Sequence, residues 1–382
     1  MSPARPPHVL LAPDKFKGSL TAPEAARHLA AGLRRADPGT AVTELPVADG
    51  GDGTVDAAVA AGFRRREALV AGPLGAPVRA AFAVRGDTAV VEMAEASGLR
   101  RLPGGRPEPL RAGTRGTGEL LRAALDAGVR RIVLGVGGSA STDGGAGMLA
   151  ALGARLLDDR DRPLPPGGGA LPDLARVDLS GLDPRLAGTD LVLASDVDNP
   201  LLGEKGAAAV YAPQKGAGHA EVARLERGLA RLAEAVGAAV GPSAAGAADL
   251  PGAGAAGGTG YAALAALGAV HRPGIATLLE VLGFDRALEE ATLVVAGEGS
   301  LDAQTLHGKA PLGVAAAADR RGVPVVAVCG RCALTGAQLE AAGFLRVYAL
   351  TALQPDPARS MEDAGPLLEL VGEALARDLA AG

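Results

Sequence analysis

Six short stretches set carboxylates, small hydroxyls and lone lysines beside glycines, a mixture suited to phosphate groups and the cations that accompany them. The first is Asp14-Lys15-Phe16-Lys17-Gly18-Ser19. The second, Asp49-Gly50-Gly51-Asp52-Gly53-Thr54, spaces two carboxylates so that they either hold Mg2+ through water or form a solvated acidic turn. The third is the loop of Gly137, Gly138, Ser139, Ser141, Thr142, Asp143, Gly144 and Gly145, between an apolar strand and an apolar helix. Glycines admit a ligand close to the backbone, and N–H groups at a helix start point toward an anion. A tight strand-to-helix turn without a ligand is the competing reading of the same loop. The fourth joins Ser195-Asp196-Val197-Asp198-Asn199-Pro200 to Gln214-Lys215-Gly216. The fifth is the Gly252–Gly260 run, and the sixth is Gly297-Glu298-Gly299-Ser300-Leu301-Asp302 with His307-Gly308-Lys309 downstream.

Isolated cations, carboxylates and open backbone turns are the parts phosphoryl transfer needs, because that reaction depends on positioning and charge neutralisation. The chain holds 33 Arg but only five Lys, namely Lys15, Lys17, Lys205, Lys215 and Lys309, all in or beside polar or Gly-rich turns. Where Arg is used so freely, a retained Lys points to a place that wants a compact point charge; five solvated charges are the plainer alternative. Gly308-Lys309 is not a Walker A motif, since it lacks the earlier glycine and the following Ser/Thr. The formal GxGxxG at Gly252, Gly254 and Gly257 follows no clear strand and reads as a flexible loop. Cys329-Gly330-Arg331-Cys332 is a CxxC at a strand end, which suits either a dithiol oxidoreductase or two ordinary thiols. A net charge of −5 and 2% aromatics set nucleic-acid binding aside. With no apolar run near ~20 residues, no membrane span is expected, and the cytoplasm is the expected compartment.

The elements that must position these groups are legible as apolar runs. Strands at 8–12, 41–47, 292–296, 323–328 and 345–350 suit one doubly wound parallel sheet, with ligands at the strands' carboxyl ends. Residues 66–92 alternate β-rich segments with turns and read as antiparallel pairing. The fold class is therefore α/β, with a discontinuous domain of 1–65 and 289–382 and an inserted α/β domain of 66–288. The βα unit at 131–152 is assignable to either body. Thr21 and Glu24 form a capping box for a helix running to Arg35, and 221–240 reads as an amphipathic helix. Residues 103–118 read as a loop that opens a helix at about Glu119.

Taken in order along nearly the whole chain, APDKFKGSL, PVADGGDGT, GTGELL, GVGGSASTDGGAGMLAALGA, DVDNPL, APQKGA, DLPGAGAAGG, RPGI and GEGSLDAQTLHGKAP resemble the bacterial glycerate kinase type-1 family. The resemblance implies a flavodoxin-like domain with a second α/β domain inserted. It implies ATP-dependent phosphorylation of D-glycerate, typically at the 2-hydroxyl, to 2-phosphoglycerate, with MgATP in an interdomain cleft. Its partners would then be glycerate and ATP, with no nucleic acid or membrane; a homo-oligomer is compatible with it. On this reading Lys17 and Lys309 neutralise phosphate charge, and Asp196 orients or deprotonates the acceptor hydroxyl. Asp49, Asp52 and Glu298 are the metal candidates, with Asp143 and Asp302 next in line for base or metal. Gly137, Gly138, Ser139, Asp143, Gly144, Lys215, Gly297 and Asp302 are the expected cofactor-binding residues, although the sequence does not decide whether nucleotide or glycerate meets the 137–144 loop. The chain departs from the family pattern at Lys15, Asp52, Arg115, Ser300 and Cys332, and none of these removes an acid or lysine assigned to chemistry. A kinase for another small hydroxy acid, the dithiol oxidoreductase and a non-catalytic nucleotide-binding module are the competing expectations.

Overall fold

The structure is a computed structural model that describes residues 7–244 and 246–381, apart from the side chain of His307. In chain order its strands are β1 (His8–Pro13), β2 (Ala41–Glu44), β3 (Arg64–Ala71), β4 (Pro77–Arg85), β5 (Thr88–Glu92) and β6 (Arg131–Gly135). They continue with β7 (Arg155–Leu157), β8 (Arg176–Asp178), β9 (Asp190–Ala194), β10 (Val270–Arg272), β11 (Leu293–Leu301), β12 (Val325–Cys332) and β13 (Phe344–Ala349). Two compact units result: Met1–Asp49, Asp56–Gly62 and Ile275–Gly382 form one, and Gly50–Val55 with Phe63–Gly274 form the other.

The first unit is built on a five-stranded sheet in the order β13-β12-β11-β1-β2, every pair parallel. Numbered within the sheet this is 2-1-3-4-5, the flavodoxin-like order, whose switch point lies between β1 and β11. Both are near-continuous apolar runs because a parallel sheet covered on both faces has no solvent side. Val9 pairs with Leu293 and Ala12 with Ala296, and the ladder closes at Pro13 and Gly297, beyond which β11 runs on to Leu301. The helix Ala22–Ala36 starts at the expected capping box: Thr21 Oγ1 accepts from the Glu24 N–H, and Glu24 Oε2 accepts from the Thr21 N–H at 2.8 Å. Its apolar face, Leu29 and Leu33, joins Val9, Leu11, Val295, Leu368 and Val371 in the core. Gly32 lets this helix approach Ala364–Ala381, since a Cβ there would stand 1.9 Å from the Glu369 carbonyl oxygen. Gly32→Ala is therefore expected to cost about 2 kcal/mol, read as a lower urea midpoint at unchanged slope.

The second unit holds a six-stranded mixed sheet, β10-β9-β6-β5-β4-β3. β3, β4 and β5 are antiparallel, as the 66–92 pattern suggests, while β5, β6, β9 and β10 run parallel. The βα unit at 131–152 belongs here, its strand between β5 and β9. Two expectations need correction. Residues 115–118 are not loop but the first turn of the helix Arg115–Asp126. Their glycines are packing devices: a Cβ on Gly116 would come 1.9 Å from the Ala71 carbonyl oxygen, and one on Gly118 2.4 Å from that of Met148. The turn at 49–54 is divided between the units, because Gly50 packs on the strand end at Gly135 and its carbonyl accepts from the Gly137 N–H at 3.0 Å. Among the described residues no helix is long and apolar enough to cross a membrane.

Candidate functional site

At the switch point of the first unit the carboxyl ends of β1, β11 and β12 surround a cavity of about 720 Å³. Asp14, Lys17, Asp49, Glu298, Asp302 and Lys309 line it, and Phe16, Leu350, Met361 and Ala364 give it an apolar wall. Five expected site residues thus meet in one place: Lys17, Asp49, Glu298, Asp302 and Lys309. Asp14, first after β1, was not among the expected site residues; its position at a strand end was the available signal.

Asp14 is 5% exposed, and its carboxylate accepts from the Lys15 N–H at 2.6 Å. Burial pushes its carboxyl up to about 7; Lys15 opposes this, and the charges of Asp49 and Glu298 add to it. Glu298 accepts from the Thr305 hydroxyl at 2.6 Å. Its carboxyl is raised by burial, against Thr305 and Lys309, with Asp302 and Asp49 also raising it. Asp302 accepts from the Gln304 N–H at 2.9 Å and from the Ser300 hydroxyl at 3.3 Å. Arg331, another residue not expected, donates from Nε to Ser300 Oγ at 3.0 Å and brings a guanidinium to the cavity from β12. Gly297 does not present a ligand-facing turn: it lies inside β11, paired with Pro13 and Val328, and its carbonyl accepts from the Asp14 N–H at 2.8 Å. A Cβ there would stand 2.6 Å from the Val328 carbonyl oxygen.

The expected metal set does not assemble as such. Among the described residues no three His, Cys, Asp or Glu side chains form a cluster able to hold an ion by themselves. Asp52 belongs to the second unit, where Arg100 Nε lies 3.5 Å from its carboxylate and also serves Glu92 and Glu95. A guanidinium beside a carboxylate takes the place a cation would fill. Asp14 and Glu298 are different, since the charge of Asp49 raises the proton affinity of both, and that of Glu298 adds to it at Asp14. Such a group gains from a divalent cation, and Mg2+ commonly takes only one or two protein carboxylates and completes its shell with phosphate oxygens and water.

In the second unit the loop after β6 is tied to its own surroundings. The Gly137 N–H donates to Gly50, that of Ala140 to Ser97 at 2.9 Å, and that of Gly144 to Gly257 at 3.0 Å. Gly138, Gly144 and Gly145 have positive φ, so glycine suits the path. Asp143 points inward and is 0% exposed. It accepts from Thr114 N–H and Oγ1, both at 2.9 Å, from Gly147 N–H at 3.1 Å and from Gly145 N–H at 3.2 Å. These four donors make Asp143 an internal brace for the loop rather than a ligand contact. Lys215 lies beneath the same loop, 2% exposed, and its Nζ donates to Ser139 Oγ at 2.8 Å and to the Ser141 carbonyl at 2.5 Å. Burial lowers its ammonium to about 7, against the charge of Asp143. Gly137, Gly138, Ser139, Tyr211 and Lys215 line a small cavity of about 140 Å³. Asp196, just beyond β9, is exposed; its Oδ1 accepts from the Gly274 N–H at 2.8 Å.

At Cys329 the CxxC lacks the exposed, activated thiol of a thioredoxin-like centre. Cys329 is buried, and burial pushes its thiol well above the usual range, opposite to the depressed value of a reactive thiolate.

Fold and site together define an α/β protein whose flavodoxin-like sheet carries a cavity of lysines and carboxylates at its switch point. The model of the Glycerate kinase family matches residues 9–380. The chain is 47% identical to a glycerate kinase of Bacillus subtilis (strain 168), over 98% of this chain and 97% of that one. It is 44% identical to a glycerate 2-kinase of Escherichia coli (strain K12), over 84% of each. A crystal structure from Salmonella typhimurium LT2, described as glycerate kinase 2, superposes with a TM-score of 0.85 at 41% identity and 99% coverage of both chains. The chain belongs to the glycerate kinase family.

Proposed function

We propose that the protein transfers the γ-phosphoryl group of ATP to the 2-hydroxyl of D-glycerate, giving 2-phosphoglycerate and ADP, in the cytoplasm. The observation that carries this reading is the meeting of Lys17 and Lys309 with Asp14, Asp49 and Glu298 in one cavity of a chain from this family. The Escherichia coli relative named for the 2-position supports the choice of hydroxyl. About 720 Å³ accommodates a nucleotide, with the base against Phe16, Leu350 and Met361.

Lys17 and Lys309 place two ammonium charges where the transferred phosphoryl group carries its negative charge. The Arg331–Ser300–Asp302 chain holds a guanidinium at the same rim. Mg2+, which one or two of the carboxylates of Asp14, Asp49 and Glu298 would hold, would supply further neutralisation of the phosphate oxygens. Asp196 orients the acceptor hydroxyl and takes its proton as the new O–P bond forms.

Identifying the product by phosphorus and carbon NMR tests the whole reading. Glycerate phosphorylated at carbon 2 with equal ADP release is expected; a 3-phosphate moves the acceptor, and turnover of lactate or tartronate in preference to glycerate moves the substrate. Asp196→Asn is expected to lower kcat about 100-fold, the usual share of a general base. Its melting temperature should hold, because the amide oxygen still accepts from Gly274. Near-normal turnover would remove Asp196 from the role.

A further inference from the structure

We infer that the cavity of about 140 Å³ in the second unit, walled by Ser139, Tyr211 and Lys215, is a carboxylate site that seats the small hydroxy acid through the Lys215 ammonium. Naming the acid as glycerate rests on the proposed reaction; the site itself rests on the following observations.

Lys215 is a cation taken out of water, with no directly bonded counter-ion among the described residues. Its partners, Ser139 Oγ and the Ser141 carbonyl, are both neutral. Asp143 is the ionisable group whose charge acts on it, yet the hydrogen bonds of that carboxylate go to Thr114, Gly145 and Gly147. A buried ammonium in this position is disfavoured until an anion enters beside it. The cavity it lines has the size for such an anion. About 140 Å³ equals roughly five waters at about 30 Å³ each, enough for a three-carbon acid and well below the ~300 Å³ at which sites for drug-sized ligands begin. Ser139 Oγ already accepts from Lys215, so its own proton is available to a carboxylate oxygen. Tyr211 is fixed at the wall by donating to Asn199 Oδ1 at 2.7 Å. Ser195 and Val197, which flank Asp196, also line the cavity, so the acid's hydroxyl end would lie near the residue assigned to it.

Two further titratable groups lie nearby. Burial, then Asp198, raises the Tyr211 phenol, which stays neutral at pH 8. His271 is engaged at the Ser195 carbonyl, 2.9 Å away.

Calorimetry of D-glycerate binding without nucleotide, at pH 8 in buffers of different ionisation enthalpy, is the test. Lys215, lowered to about 7, is mostly neutral there before the acid binds, and a bound carboxylate raises it again. Binding should therefore take up close to one proton per acid, and affinity should fall as pH rises from 7 to 9. Lys215→Met should weaken the acid on the order of 100-fold and abolish the uptake. ATP binding to the same variant should stay at the wild-type level. Ser139→Ala, a gentler change, should weaken the acid less and keep the uptake. Binding without proton uptake in the wild type, or wild-type affinity in Lys215→Met, overturns the inference. The proposed reaction fails differently: acid binding with uptake but no phosphorylated product leaves this site standing and removes the kinase reading.

Discussion

Lys309→Met is expected to lower kcat about 10²–10³-fold while leaving the KM for glycerate near its wild-type value. Lys309 is the residue immediately before the helix Ala310–Asp319, and it lines the cavity. It therefore places an ammonium beside the positive end of a helix dipole, a doubled preference for negative charge. That charge also acts on Glu298, lowering its proton affinity against the effect of burial. Met keeps the unbranched stem, and the helix start has Pro311 to fix its first turn, so the substitution removes charge rather than structure. Steady-state kinetics and a thermal melt check the result. Equal losses in kcat and kcat/KM for ATP identify a contact made in the transition state. A raised KM for ATP at unchanged kcat would reduce Lys309 to a ground-state contact, and unchanged kinetics would remove it from the site.

The largest stability effect is expected at Asp143. Replacing it with Ala leaves the N–H groups of Thr114 and Gly145 and the Thr114 hydroxyl without partners where they are buried, and that of half-buried Gly147 without its acceptor. A hydrogen bond to a charged group contributes about 1.5–3 kcal/mol, and part of the loss of several is recovered by relaxation, so about 4 kcal/mol is expected in urea unfolding. The same carboxylate ties the helix Arg115–Asp126 to the loop after β6, so the loss should spread beyond the loop. Asp143→Asn keeps an acceptor but turns an amide against N–H donors, and should cost about half as much. A loss below about 1 kcal/mol for Asp143→Ala would mean that solvent reaches those donors and that the brace is absent.

Much of the fold was legible because a parallel sheet writes itself as apolar runs. β1, β11 and β12 read that way, and Lys17, Asp49, Glu298, Asp302 and Lys309 meet because each follows closely on such a run. What escaped the sequence depended on partners distant along it. Gly116 and Gly118 look like loop residues until Ala71 and Met148 are seen against them. Asp52 looks like a metal ligand until Arg100 is seen beside it. Asp143 and Gly297 sit among glycines like ligand contacts, but one faces four internal donors and the other is locked into a ladder. Inward and outward orientation in a Gly-rich turn carries no periodic signal, so sequence alone cannot separate brace from contact.

The sheet of the first unit sets a schedule for synthesis. β1 completes its pairing only with β11, about 284 residues later, as the His8–Thr292 bond beside them records. At about 5–20 residues per second, a ribosome leaves β1 waiting roughly 15 to 60 s with its apolar face uncovered. The second unit, nearly continuous in sequence, ends at Gly274 and so is complete shortly before β11 emerges. The nascent chain therefore carries a finished body and an exposed strand at once, and the helix Ala22–Ala36, capped from its own sequence, is the nearest cover that strand has until its partner emerges.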